Sequence, residues 1–557
     1  MAADVVDEDP VMQGRESVES PQLPDTPGTG RRTWAFWLGL AATTGGVLLH
    51  VPMFRMARDM SYRMAGMPMD TAMICGMALI VAGLALTTYG LFPTRSVHHR
   101  VVALRVRALD DAPITRVHVV LMLVMAAAIT IDVMKPTTLS FVVPGVGAEY
   151  HLRTPANPHI DALPVALLPL SGITGTVLGS FLWGWLGDRM GRKAAILLAG
   201  IFFVGTSICG AMPSFEWNVA MCFVMGLGAG GMLPIAFTLL SETIPARHRG
   251  WLLVLIGGDI AGAYIVTSWL SSTIGHTYSW RSLWLLGLPT GFLLVLLVRW
   301  IPESPRYLLA VGRHREAEEV LRTYNAEIVP VEHSELAAED GVRDGFGQLL
   351  RRPYLGVTVV LSLIGLGVGL VTYGFQLWLP TNLRALGFSD VTADRILRDS
   401  ALIGFPLNFA VAYCYHRSTK WTLITLGALL AVTLAGFVAL GDHVADHRLL
   451  LNILLVVPIW GSSSIVAVIV AYGAEIYPTR IRSRGSGVAA AMTKAGGVGV
   501  IALVVLAVAA PSISVMALLS AVPIALATIA AVVYIVETRR RSLEDITAAE
   551  LRTVAVA

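Results

Sequence analysis

Apolar runs of about 20 residues recur along almost the whole chain. A helix rises about 1.5 Å per residue, so each run is long enough to cross a bilayer's hydrocarbon core. Backbone polar groups there find no water and must satisfy one another, which makes helices the default. A membrane barrel would instead show alternating segments of about 10 residues, and these runs do not alternate. Of the 557 residues, 55% are hydrophobic and only 14% charged, against roughly 25% charged in soluble domains. The expectation is an all-α membrane protein.

Fourteen spans are expected. Two lie at about 33–53 and 71–92. Six follow at about 117–141, 162–186, 194–213, 217–241, 250–273 and 282–300. The last six lie at about 355–379, 399–416, 421–440, 448–473, 486–509 and 513–536. The implied organisation is an acidic tail (1–32), two additional spans (33–92), a basic cytoplasmic linker (93–115), an N-terminal six-helix half (116–300), a central cytoplasmic linker (301–353), a C-terminal half (354–538) and a cytoplasmic tail (539–557). The tail holds seven carboxylates among Pro, Gly and Ser and reads as disordered. It has no signal-peptide layout.

Two segments about 230 residues apart repeat one pattern, E-x-x-P-x-R-x-R. They are Glu242-Thr-Ile-Pro245-Ala-Arg247-His-Arg249 and Glu475-Ile-Tyr-Pro478-Thr-Arg480-Ile-Arg482. Matching halves in a membrane chain are the mark of a transporter built from repeats, with its site between them. Arg and Lys gather in alternate loops (Arg189, Arg192, Lys193; Arg247, Arg249; Arg417, Lys420; Arg480, Arg482, Arg484), whereas 212–216 and 510–512 have none. The basic loops are therefore expected in the cytoplasm, with both termini. The 54–70 loop, with Arg55, Arg58 and Arg63, runs against this pattern.

Gly184-Trp-Leu-Gly187-Asp188-Arg189-Met-Gly191-Arg192-Lys193 resembles the G-x-x-x-D-R-x-G-R-R/K loop of the major facilitator superfamily. Pro302-Glu303-Ser304-Pro305-Arg306-Tyr307-Leu308 and Glu537-Thr-Arg-Arg-Arg-Ser542-Leu543-Glu544 resemble segments of its sugar-porter and metabolite-transporter branches. The resemblance covers about residues 115–548 and implies the major facilitator fold: two pseudo-symmetric six-helix halves, here with two extra N-terminal helices. It also implies a cytoplasmic gate of ion pairs formed by Asp188, Arg189, Arg192, Glu242, Arg247, Glu475 and Arg480, with Gly184 and Gly191 in the loop motif. Departures are visible. The second-half loop motif is reduced to Tyr413-Cys-Tyr-His416-Arg417, Cys222 stands where the family often has Arg, and the antiporter Gly-Pro signature is absent. Tyr373-Gly-Phe-Gln376-Leu-Trp378-Leu-Pro380-Thr381 looks closer to organic-ion carriers than to the Gln-Gln of sugar porters.

Charges inside the spans are the candidates for chemistry, because each costs roughly 2.5–3.5 kcal/mol near the bilayer centre on insertion scales. Asp132 and Lys135 share a helix face, followed by Pro136, which frees the Asp132 carbonyl. They bind substrate or proton, or neutralise each other. Asp259 and Lys494 are further candidates, for proton or cation and for an anionic substrate group. Tyr264, Tyr373, Phe375, Gln376 and Trp378 are candidate cavity residues. The four cysteines look like buried apolar residues. The Met-rich run from His50 to Met69 fits either an interfacial helix or a Cu(I) site. No P-loop, G-x-S-x-G or zinc spacing is present, so neither enzymatic activity nor a cofactor or metal is expected.

The expected function is secondary active transport of a small polar organic metabolite, such as an organic acid or related ion. Proton-coupled uptake by alternating access in the cell membrane is favoured. The expected partners are that substrate, protons and the lipid bilayer, and no nucleic acid. Efflux of a drug or metabolite, and a receptor or scaffold that kept the fold without transport, are the alternatives.

Overall fold

The computed structural model describes residues 32–92, 104–105 and 113–539, apart from 155–156, 158, 276–277, 327–328, 331–344, 378, 380–382, 384–385, 389, 447, 479 and 508–511. The acidic tail, most of the basic linker, Trp378 and the tail beyond 539 lie outside the described residues. Thirteen described helices are long and apolar enough to cross a membrane: α1 (Thr33–Met60), α2 (Thr71–Leu91), α3 (Arg116–Glu149), α4 (Leu167–Met190), α5 (Arg192–Ala211), α6 (Phe215–Thr243), α7 (Ala246–Thr267), α8 (Arg281–Trp300), α9 (Leu355–Gln376), α11 (Thr419–Leu440), α12 (Leu449–Ile476), α13 (Arg482–Leu506) and α14 (Ile513–Tyr534). Helix α10 (Asp390–Arg417) stands between α9 and α11. Leu506, Val533, Val432 and Val81 are each more than two-thirds exposed, as lipid-facing side chains are and as a water-soluble surface would not tolerate in bulk.

Small residues set how close the helices come. Helices α4 and α6 meet backbone to backbone: a Cβ on Gly226 would lie 2.9 Å from the Thr176 nitrogen. Helices α4 and α13 join the two halves in the same way, with Gly184 under the Ser483 carbonyl and Gly487 under that of Ser180. Close contact through small residues replaces the hydrophobic drive that lipid removes. The other seam pairs α7 with α10 and α12.

Helices α1 and α2 interlock through Gly39, Gly46, Gly76 and Gly83. They pack on α5, where Val47, Met53, Met64, Met73 and Ile80 meet Val204, Ile208 and Met212. Met53 and Met64 of the Met-rich run are thus buried in an apolar cluster, whereas Met56 and Met60 are exposed. Among the described residues no His, Cys, Asp and Glu cluster fits a metal ion. The Arg-bearing 54–70 loop docks at the end of the bundle opposite the repeated Arg turns, with Met64 and Ala65 N–H groups donating to Glu149 at 2.7 and 3.1 Å. Cys209 and Cys222 are buried, but Cys75 and Cys414 are exposed on outward helix faces, against the expectation for all four.

The central linker folds into short helices Pro305–Ala310 and His314–Thr323. Glu537, just past α14, accepts hydrogen bonds from the Ser418 hydroxyl and the Thr419 N–H at the start of α11. Burial alone would raise its carboxyl, but these bonds hold it below the usual range. A carboxyl depressed on folding contributes stability above its unfolded value and loses it as pH falls through the folded one. Acid thermal-unfolding series should therefore show a limb that Glu537→Gln flattens. Separately, Gly226→Leu should cost about 1–3 kcal/mol through overpacking and lower the unfolding midpoint by several degrees. Gly45→Leu, where a Cβ meets nothing within 4 Å, should leave it unchanged.

Candidate functional site

Several helices are locally broken or widened, and candidate residues collect beside four of these places. Helix α6 is interrupted at Gly230–Gly231. Pro234 has no N–H to give the Gly230 carbonyl, and the Ser180 hydroxyl lies 2.8 Å from that oxygen. The Trp183 ring fills the space beside Gly231, and its N–H donates to the Leu227 carbonyl at 2.7 Å. Helix α7 is interrupted at Gly258. Wider π-turns occur at Val371–Gln376 of α9 and Val457–Gly461 of α12, a feature common at functional sites.

Asp132 of α3 is buried, with the Leu233 N–H of the second α6 segment aimed at it. A half-helix N-terminus favours a carboxylate. Its Oδ1 has no hydrogen-bond partner. Across the seam, Lys494 of α13 donates to the Ser180 hydroxyl at 3.1 Å and interacts electrostatically with Asp132. Lys494 thus points into the bundle and does not snorkel. Ser180, absent from the expected site, is what joins the broken α6 to the opposite half's cation. No motif in the sequence singles it out.

Asp132 and Lys135 do not form the self-neutralised pair that their spacing allowed. Pairing along one helix edge competes with tertiary partners, and here α6 and α13 claim Asp132. Lys135 turns toward α5 and α8, its Nζ 5.7 Å from the centre of the Phe203 ring and against Gly287. The structure therefore separates Lys135 from the other candidate charges. Asp259 accepts from Thr130 of α3, and Tyr264 packs on Phe141 at 5.6 Å. Gln376 bridges the two π-turns, donating to the Pro458 carbonyl and the Ser462 hydroxyl, both at 2.6 Å. Tyr373 covers Gly497. Asn408 of α10, also missed in the sequence, lies 3.3 Å from the Gly258 carbonyl at the α7 break and accepts from Ser464 of α12.

At the Arg-rich end the repeated motifs are crossed. Glu242 of the first receives Arg482 of the second at 2.8 Å, and also Arg192 at 3.1 Å. Glu475 of the second interacts with Arg249 of the first and accepts from Tyr415 and Thr538. Asp188 stands 3.6 Å from Arg192 and 3.8 Å from Arg484. Glu303 accepts from the N–H groups of Arg192 and Lys193, below Gly191 at φ +95°. The expected gate needs correction in its arginines: Arg249 and Arg482 cross the seam, while Arg247 is exposed. Arg247 and Arg249 both lie on α7, where residues two apart point roughly 200° from one another, so only one of them can face inward. Arg480 is half-buried beside them, its carbonyl accepting from Arg484. Arg189 is also turned outward, stacked 5.1 Å from the Trp185 ring.

Residues 161–549, more than half the chain, match the family described as "Sugar (and other) transporter". The chain belongs to that family, within the major facilitator superfamily. It is a multi-pass membrane transporter and not an enzyme. The niacin transporter NiaP of Acinetobacter baylyi is 27% identical over 405 residues, covering 71% of this chain and 88% of that protein. The 4-hydroxybenzoate transporter PcaK of the same organism is 27% identical over 399 residues, with 68% and 82% covered. The solved proton:xylose symporter XylE bound to 6-bromo-6-deoxy-D-glucose has the same fold, with a TM-score of 0.65 at 19% identity over 78% of this chain and 99% of that one.

Removing one member of a buried ion pair costs about 3–5 kcal/mol, whereas exposed substitutions usually stay within about 0.5 kcal/mol. Arg249→Ala and Arg482→Ala should lower the thermal midpoint sharply and speed thiol labelling of Ser483→Cys. Arg247→Ala should do neither.

Proposed function

We propose that this transporter carries a small organic acid inward with a proton, and that Asp132 and Lys494 couple the two. The observation that carries the reading is a cation of one half held to Ser180 of the other, beside a buried carboxylate with an unpartnered oxygen at the α6 break. Empty, Asp132 and Lys494 balance each other. An anionic substrate arriving at Lys494 leaves one excess negative charge in a medium that penalises it. A proton on Asp132 restores neutrality, so anion and proton enter together. Relatives named for niacin and 4-hydroxybenzoate transport support a substrate with a carboxylate on a small ring. Asp259, held by Thr130, and the Gln376–Ser462 bridge supply further polar groups toward the cavity.

Lys and Arg enrichment supports a cytoplasmic position for the crossed Glu–Arg lattice. This conformation then has its cytoplasmic mouth shut, and opening it means parting Glu242 from Arg482 and Glu475 from Arg249. Both termini lie on that side, and α1 and α2 span the membrane as an added hairpin on the first half.

The test is uptake of labelled nicotinate and 4-hydroxybenzoate into proteoliposomes with an imposed pH gradient. The parent should accumulate one of them only with the gradient. Asp132→Asn should exchange substrate without gradient-driven accumulation, and Lys494→Met should raise KM at least tenfold. Parent-like accumulation by Asp132→Asn would sink the coupling assignment.

A further inference from the structure

Seven of the chain's 20 methionines gather in one cluster at the end of the bundle opposite the repeated Arg turns. Met53, Met64, Met73 and Met212 are buried there, and Met67, Met77 and Met221 pack against them. A methionine cluster alone is ordinary apolar filling. The imidazole beside it is not. His50 is buried, and its Nδ1 lies 2.9 Å from the Gly46 carbonyl. A carbonyl only accepts, so Nδ1 carries the proton and, in the neutral ring, Nε2 keeps a bare lone pair. That Nε2 is buried with no hydrogen-bond partner. Apolar side chains offer a lone pair nothing, and leaving it unanswered is costly. A soft metal ion answers it.

The register of the α1–α2 hairpin brings sulfur toward that nitrogen. Gly39 meets Gly83 and Thr87, and Gly46 meets Gly76 and Ile80. The His50 ring lies against Gly76, its Cε1 2.7 Å from where a Cβ would stand. One turn further along this antiparallel pair, Met53 on the His50 face comes opposite Met73 on the Gly76 face, both of them buried. Asp70 caps α2 by accepting from the Met73 N–H at 2.7 Å, and its carboxylate interacts electrostatically with His50. We propose that His50 Nε2 and the Met53 and Met73 thioethers form a site for one Cu(I) or Ag(I) ion, with Met64 of the connecting segment closing it. Thioether sulfur selects soft monovalent ions over Zn²⁺, Mg²⁺ or Ca²⁺. The Gly46 carbonyl fixes the ring tautomer, as outer partners of ligating imidazoles do. Asp70 supplies a nearby balancing charge. All the donors are neutral, so binding releases no proton. The bound ion ties α1 to α2 beside Val204 and Ile208 of α5, and so fastens the hairpin to the first half.

The test uses the full chain in phosphatidylcholine nanodiscs, with Cys75→Ser and Cys414→Ser removing the exposed thiols that would bind the same ions. Anaerobic titration with Cu(I) against bathocuproine disulfonate should show one equivalent bound. Binding should raise the thermal midpoint, and X-ray absorption should show sulfur together with imidazole nitrogen around the copper. His50→Gln should weaken binding at least tenfold, and so should Met53→Leu combined with Met73→Leu. Met56→Leu combined with Met60→Leu, at exposed positions, should leave it unchanged. Zn(II) should neither bind nor raise the midpoint. No Cu(I) binding, or binding unaltered by either the His50 change or the Met53–Met73 change, overturns the site. Binding lost only with Met56 and Met60 puts the ion at the surface and overturns it as well. If His50→Gln does not fold, the Met53–Met73 variant decides, because leucine fills a similar volume without the sulfur.

Discussion

No water reaches a helix backbone inside hydrocarbon, so every interruption must be answered by a side chain from elsewhere in the protein. The interior of this transporter is organised around that demand. The α6 break at Gly230–Gly231 is answered by Ser180 and Trp183 of α4. The α7 break at Gly258 is answered by Asn408 of α10. The π-turn at Pro458 is answered by Gln376 of α9. Two of these repairs stay within a half, and the third crosses the seam. Each brings polar atoms to a depth where lipid would otherwise exclude them. The candidate site is thus a by-product of backbone accounting: Lys494 reaches Ser180 because Ser180 is already there for Gly230.

The seam between halves is held by two unlike means. Backbone contact through Gly184 and Gly487 lets α4 and α13 lie close along their length. The crossed Glu–Arg pairs then close one end. Charged pairs with well-defined geometry can be exchanged for water when the mouth opens, whereas glycine contacts persist through a rocking motion. The opposite end is braced differently. Arg281 binds Glu149 at 2.7 Å and the carbonyls of Gly210 and Met212, all within the first half, with the α1–α2 loop added on top. The hairpin therefore belongs mechanically to that half and would move with it.

Much of the fold was legible because the bilayer imposes one dominant period and length. Thirteen described helices long and apolar enough to cross a membrane lie near thirteen of the fourteen expected spans, and the repeated E-x-x-P-x-R-x-R turns do occupy one end of the bundle. The motif did not say which arginine of each pair faces inward. For the first pair that choice depends on where Pro245 starts the next helix, which sets the phase of the residues after it. Asp132 and Lys135 looked like partners because spacing along one helix is all that a sequence displays.

The sequence by itself determined the helical class, the membrane setting, the two-fold repetition and the presence of ionised groups among apolar spans, since each follows from length, composition and local pattern. Only the tertiary structure decided who meets whom: Asp132 with Leu233 and the Lys494 charge, Lys135 with the Phe203 ring and Gly287, Arg249 with Glu475 and Arg482 with Glu242. Those contacts join residues tens to hundreds of positions apart. They depend on how helices are rotated about their own axes, and small-residue packing sets that rotation without leaving a signature in the linear order.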